Sequence, residues 1–175
     1  SKDGSRNAVT ERSLSRIEKS DPPLLMRPKN IERIEIGNIE DDLAKIADCD
    51  WIVEAIVERL EIKRSLYRSL LPHLKEGAMV SSNTSTIPIS LLMEDMPDQL
   101  RKRFCITHFF NPVRYMRLLE LVEGEESEPE VMRVLADYND RMLGKGVVEC
   151  ADTPGFLGNR VGVFAMQAAI HEAGE

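Results

Sequence analysis

The chain has 175 residues, with 30 acidic against 23 basic side chains and a net charge of -7, a balance that excludes a sequence-independent electrostatic grip on nucleic acid. Hydrophobic residues make up 42%, enough to core one domain or two small ones, and no run of about 18 uncharged apolar residues offers a membrane span. The opening SKDGSRNAV lacks the apolar stretch of a secretory signal, so an anionic ligand, if one is bound, must be taken by local backbone amides and a few Lys or Arg.

In chain order, residues 5–19 set Val9, Leu14 and Ile17 among charges at helical spacing, which predicts an amphipathic helix. The prolines of SDPPLLMRPKN break it. RIEIG, residues 33–37, is a strand candidate, and NIEDDLAKIADCD reads as a helix and a turn. WIVEAIV, residues 51–57, is too apolar for a wet face and is expected inside a parallel sheet. Residues 58–74, ERLEIKRSLYRSLLPHL, predict a helix with Leu60, Leu66, Leu70 and Leu71 inward. Gly77 then stands where a helix-stopping residue belongs, ahead of the strand GAMVSSN. Ser90 to Met93 suggest a short helix, RFCITHFF and MRLLELV two strands around the turn NPVRY. Residues 128–143 return to helical spacing with Val131, Val134, Leu135 and Met142 apolar. GVVEC is a further strand, and TPGFLGNRVGVFAMQAAIHEA starts a last helix. Cys49, Cys105 and Cys150 are odd in number and widely spaced, the pattern of reduced thiols in a cytoplasmic protein, with Cys49 and Cys105 expected buried.

Strands alternating with helices of this length predict an α/β fold, doubly wound and Rossmann-like, with a mostly parallel sheet and helices on both faces. Such a sheet opens with a strand, a Gly-rich turn and a helix that holds a pyrophosphate. No GxGxxG is present, and the ten glycines are scattered. The expectation is therefore a sheet truncated at its N-terminal βαβ unit, the middle of a larger protein: residues 1–155 a partial dinucleotide-binding domain, residues 156–175 the opening of a C-terminal helical domain.

Several residues could carry chemistry. His108 and Glu120 lie on two apolar strands joined by a tight turn containing Pro112, a hairpin-like arrangement that brings a carboxylate beside an imidazole and fixes its tautomer. Ser85 follows a strand in the hydroxyl-rich SSNTST, and the carboxyl ends of strands are where doubly wound sheets take ligands. Asn159 falls in the first turn of the last helix. The same features also fit a histidine satisfied within a core, an edge-strand charge and a helix-capping turn, and spacing alone leaves both readings standing. No third ligand accompanies His108 and Glu120, so no metal site is expected. His73, His171, Arg6, Lys19, Lys29, Arg114 and Arg117 read as surface groups.

WIVEAIVERLEIK, VSSNTSTIPIS, THFFNPVRYMRLLELV and KGVVECADTPGFLGNR, in that order over residues 33–165, resemble the L-3-hydroxyacyl-CoA dehydrogenase family. The segment before residue 40 is similar to the multifunctional bacterial fatty-acid oxidation proteins, in which this module is fused to an enoyl-CoA hydratase. The resemblance implies NAD-dependent oxidation of (S)-3-hydroxyacyl-CoA to 3-oxoacyl-CoA in β-oxidation. It implies His108 as the catalytic base, Glu120 as the carboxylate that orients it, Ser85 as a hydrogen-bond donor to the reacting oxygen beside the nicotinamide, and Asn159 as a substrate contact. Glu58, Lys63 and Asn111 correspond to further cofactor contacts. An acyl-CoA partner, a homodimer or multifunctional complex formed through the C-terminal domain, and little turnover by this segment alone are the accompanying expectations. A dehydrogenase of small hydroxy acids or sugar acids, or a catalytically silent relative, are the alternatives.

Overall fold

The computed structural model describes residues 5–174 and divides the chain into two compact units, with the boundary after Ile46. In the first, helix α1 (Ala8–Glu18) has no buried residue: Leu14 and Ile17 are half-buried while Val9 stays exposed. A 3-10 turn runs over Pro28–Arg33. The strand expected at RIEIG does not form: the segment is irregular, pairs with no strand, and is tied locally by the Ile34 amide on the Ile31 carbonyl and, just after it, the Asn38 amide on Asp42 Oδ2 at 2.9 Å. NIEDDLAKIADCD likewise forms a turn and the 3-10 segment Leu43–Asp48.

The second unit holds a five-stranded sheet of β1 (Trp51–Glu54), β2 (Met79–Ser82), β3 (Phe104–Phe109), β4 (Leu118–Glu123) and β5 (Gly146–Ala151), in that spatial order. β1, β2 and β3 are parallel, β4 runs antiparallel to β3, and β5 parallel to β4. Between the strands lie α2 (Leu60–Leu70), the short α3 (Ile89–Leu92) and α4 (Asp98–Lys102), and α5 (Pro129–Arg141), while the final α6 (Gly158–Ala173) follows β5. α4 had no counterpart in the sequence reading.

Side chains alternate across a strand, so β3 serves two cores. Phe104 meets Tyr67 of α2 edge-on, ring centroids 5.3 Å apart, on one face. Cys105 packs with Leu121 and with Val131, Met132 and Leu135 of α5 on the other. Helices therefore cover both faces, as a doubly wound, Rossmann-like sheet requires. Pro129 at the first position of α5 and Glu130 in its first turn suit a helix N-terminus, and each fully buried Leu or Val there contributes about 1.5–3 kcal/mol relative to exposure.

Several sequence expectations shift. β1 leaves the sheet after Glu54 and is an edge strand among the described residues, with Val53 41% exposed. In α2 Leu70 is buried and Leu60, Leu66 and, just after the helix, Leu71 are half-buried, but the residues buried with Leu70 are Lys63, Arg64 and Tyr67. Met142 is exposed, and Cys49 is only partly covered, whereas Cys105 is buried and its thiol is pushed up to about 12 by that burial. All three thiols are free. Gly77, at φ +80°, reverses the chain before β2, a backbone conformation that costs glycine little. No described helix is long and apolar enough to cross a membrane, and no described cluster of His, Cys, Asp or Glu could hold a metal ion.

Candidate active site

The antiparallel register of β3 and β4 sets His108 directly opposite Glu120. Both side chains face the α2 side of the sheet, because they alternate in step with Phe104. His108 Nδ1 and Glu120 Oε2 are 2.7 Å apart, with Glu120 wholly buried and His108 8% exposed. The other carboxylate oxygen accepts the backbone N–H groups of Leu157 and Gly158, at 2.9 and 2.6 Å. These amides open α6, where the unpaired N–H groups and the helix dipole favour an anion. Phe110 and Phe156 wall the imidazole, ring centroids 4.6 and 5.8 Å away. Phe156 holds φ +42° while 4% exposed, a left-handed backbone that costs a non-glycine residue roughly 1–3 kcal/mol and persists because the surrounding turn fixes it.

With Glu120 as acceptor, Nδ1 carries the imidazole proton and Nε2 presents its lone pair. That arrangement suits proton abstraction, with an adjacent carboxylate to stabilise the imidazolium that forms.

A second cluster gathers where β1 and β2 end. Glu58 Oε1 accepts from Thr84 Oγ1, from the Ser85 backbone N–H at 3.3 Å and from Thr86 Oγ1 at 3.1 Å, and its other oxygen lies 3.2 Å from Lys63 Nζ. Burial would raise the Glu58 carboxyl, but Thr84 and Lys63 more than offset this and hold it below the usual range. Asn83 links the two clusters: its amide oxygen accepts the N–H of Phe109, the neighbour of His108, at 2.9 Å. Ser85 is half-buried, while Asn111 stands exposed in the turn beyond β3. Asn159 sits in the first turn of α6, half-buried. Neither asparagine hydrogen-bonds the His108–Glu120 pair among the described residues.

The sequence reading missed three contributors. Glu54, 3% exposed, accepts from Lys63 Nζ, the Ile56 amide, Tyr67 Oη and Ser82 Oγ, all at 2.6–2.7 Å. Burial alone would push this carboxyl up, yet Lys63, Ser82, Tyr67 and Ile56 together hold it below the usual range. Its only trace in the sequence is a single acid inside an apolar run. Lys145, 6% exposed, donates to the Val113 and Met116 carbonyls and so pins the turn that carries Asn111; burial lowers its pKa. Asp152 Oδ2 accepts the Ile89 amide at 2.8 Å and ties the end of β5 to α3.

A Rossmann-like sheet with polar side chains gathered at the carboxyl ends of its parallel strands is the architecture of a nucleotide-binding domain. The sequence profile of the family described as 3-hydroxyacyl-CoA dehydrogenase, NAD binding domain, matches residues 3–153. The chain belongs to this family, whose cofactor is NAD. It is 46% identical over 167 residues to a Rickettsia felis protein named as a fatty acid oxidation complex trifunctional enzyme, covering 95% of this chain and 23% of that one. It is 37% identical over 167 residues to a Bacillus subtilis protein named as a 3-hydroxyacyl-CoA dehydrogenase, covering 95% and 21% respectively. The chain thus spans less than a quarter of either relative's length. Among solved structures, 3-hydroxybutyryl-CoA dehydrogenase of Escherichia coli is 30% identical with a TM-score of 0.71, covering 89% of this chain and 32% of that one.

Proposed function

We propose that this chain provides the proton-transfer corner of an NAD-dependent dehydrogenase that oxidises (S)-3-hydroxyacyl-CoA to 3-oxoacyl-CoA in β-oxidation. The observation that carries the reading is the buried 2.7 Å contact between His108 Nδ1 and Glu120 Oε2, with the carboxylate anchored to the amides of α6. His108 Nε2 takes the 3-hydroxyl proton, and Glu120 keeps the ring in the accepting tautomer and balances its charge. Ser85 donates to the reacting oxygen, and Asn159 orients the acyl-CoA. NAD supplies the hydride acceptor when bound. The donor set fits it: Glu58 offers a carboxylate to ribose hydroxyls, while Ser85 and Asn111 offer a hydroxyl and an amide to the carboxamide. Residues 156–175 begin a helical domain through which the protein joins a homodimer or a multifunctional complex in the cytoplasm; the multifunctional part of this reading is supported by the trifunctional name of the Rickettsia felis relative.

Replacing His108 with Gln in the full protein containing this chain is expected to lower kcat by about 10²–10⁴-fold, the usual contribution of a positioned general base. A loss below about tenfold would remove His108 from that role. Acetoacetyl-CoA is expected to be reduced far faster than free acetoacetate; equal rates would point to a small hydroxy-acid substrate.

A further inference from the structure

Glu54 is a carboxylate where the fold could have used an apolar side chain. Replacing buried ion pairs by well-packed hydrophobic groups is often neutral or stabilising, so a fully paired buried acid at the edge of a site calls for a reason beyond stability. Its donors come from three elements: the turn after β1 through Ile56, α2 through Lys63 and Tyr67, and β2 through Ser82. Lys63 is 1% exposed and is held by Glu54 at 2.7 Å, Glu58 at 3.2 Å and the Ile56 carbonyl at 3.4 Å. Its ammonium thus sits between the two carboxylates and the turn after β1. Glu58, with its side chain 40% exposed, faces outward and gathers Thr84, the Ser85 amide and Thr86.

We infer that Glu54 is a positioning residue for the dinucleotide: through the buried Lys63 it fixes Glu58, and through Glu58 the 84–86 turn that presents Ser85. The inference rests on the dehydrogenase reading above. A carboxylate tethered on one side by a buried ammonium and on the other by three donors of the next loop has few orientations left, which lowers the ordering cost of binding a ribose. Untethering it leaves the binding atoms present but unplaced.

The test uses the full protein and reads NADH affinity by fluorescence titration, KM for acetoacetyl-CoA, and Tm. Glu54→Gln and Lys63→Met are each expected to weaken NADH binding about five- to twentyfold while KM for the acyl-CoA stays within about twofold. The double variant is expected to bind no worse than the weaker single one, since both act on the same link. Leu135→Ala, which loosens the opposite core, is expected to lower Tm and leave NADH affinity alone. The inference is overturned if Glu54→Gln lowers Tm but leaves NADH affinity within about twofold of wild type, or if the two losses multiply in the double variant. Where a single variant fails to fold, the charge-neutral double carries the decision, with unchanged NADH affinity overturning the inference. A wild-type protein that binds no NADH sinks the dehydrogenase reading and this inference together; wild-type binding with unchanged variants sinks the inference alone.

Discussion

At Glu120 one carboxylate works in two directions. Oε2 meets His108, and Oε1 receives the Leu157 and Gly158 amides, so one side chain joins β4, β3 and the start of α6. Glu120→Gln exposes the logic, because an amide has one acceptor end and one donor end. If its oxygen keeps the helix amides, its NH₂ points at Nδ1. The ring must then carry its proton on Nε2, which no longer accepts one from substrate. If the amide flips, its NH₂ meets two N–H donors. The expected result is a kcat lowered on the order of 10²–10⁴-fold, with NAD affinity little changed. Rapid-quench or steady-state kinetics check this, and a fall below about tenfold would show that the carboxylate does not set the tautomer.

The start of α6 is the element on which this arrangement turns. A Cβ on Gly158 would come 2.8 Å from Cζ of Phe110 and 3.4 Å from Glu120 Oε1. Alanine elsewhere in a helix gains up to about 1 kcal/mol over glycine, but here the ring against His108 must move or the helix must retreat from the carboxylate. Overpacking of this kind costs about 1–3 kcal/mol, so Gly158→Ala is expected to lower both the urea midpoint and kcat. A rise in stability with unchanged kcat would show that the close approach is not maintained in solution. At this scale much was legible in the sequence. The apolar runs RFCITHFF and MRLLELV marked the two strands that carry His108 and Glu120, and the tight turn between them made their pairing possible; the register of β3 and β4 then sets them opposite each other. RIEIG was not legible, since its alternation is real but a strand exists only where another edge receives it. The inner face of α2 was read only in part for a related reason: hydrophobicity points to leucines, of which Leu70 is buried, whereas burial of Lys63 depends on two carboxylates that the sequence sets nine residues before it and five before it.

Across the second unit, two carboxyls held by neighbouring groups, Glu54 at the end of β1 and Asp152 after β5, give folding a pH dependence that can be signed. The Glu54 carboxyl is depressed from its ordinary 4.5 against the effect of its burial. A depressed acid contributes stability that is complete above its unfolded value and is lost as pH falls through its folded one. Asp152 is raised from 3.8 by burial, against the Ile89 and Ser90 amides. Its contribution has the opposite sign: present below 3.8 and lost as pH rises through the folded value. Two variants separate these effects. Glu54→Gln is expected to lower the urea midpoint most near neutral pH, with the gap to wild type narrowing as pH drops below about 4.5. Asp152→Asn keeps an acceptor for the Ile89 amide and removes the partly buried charge, so it is expected to raise the midpoint near neutrality and to converge on wild type in acid. Gaps that stay constant from neutral pH to about pH 3 would show that neither carboxyl titrates differently in the folded and unfolded chains. Convergence in acid from opposite sides would identify Glu54 as a group the fold keeps charged, and Asp152 as one it holds against the preference of its own surroundings.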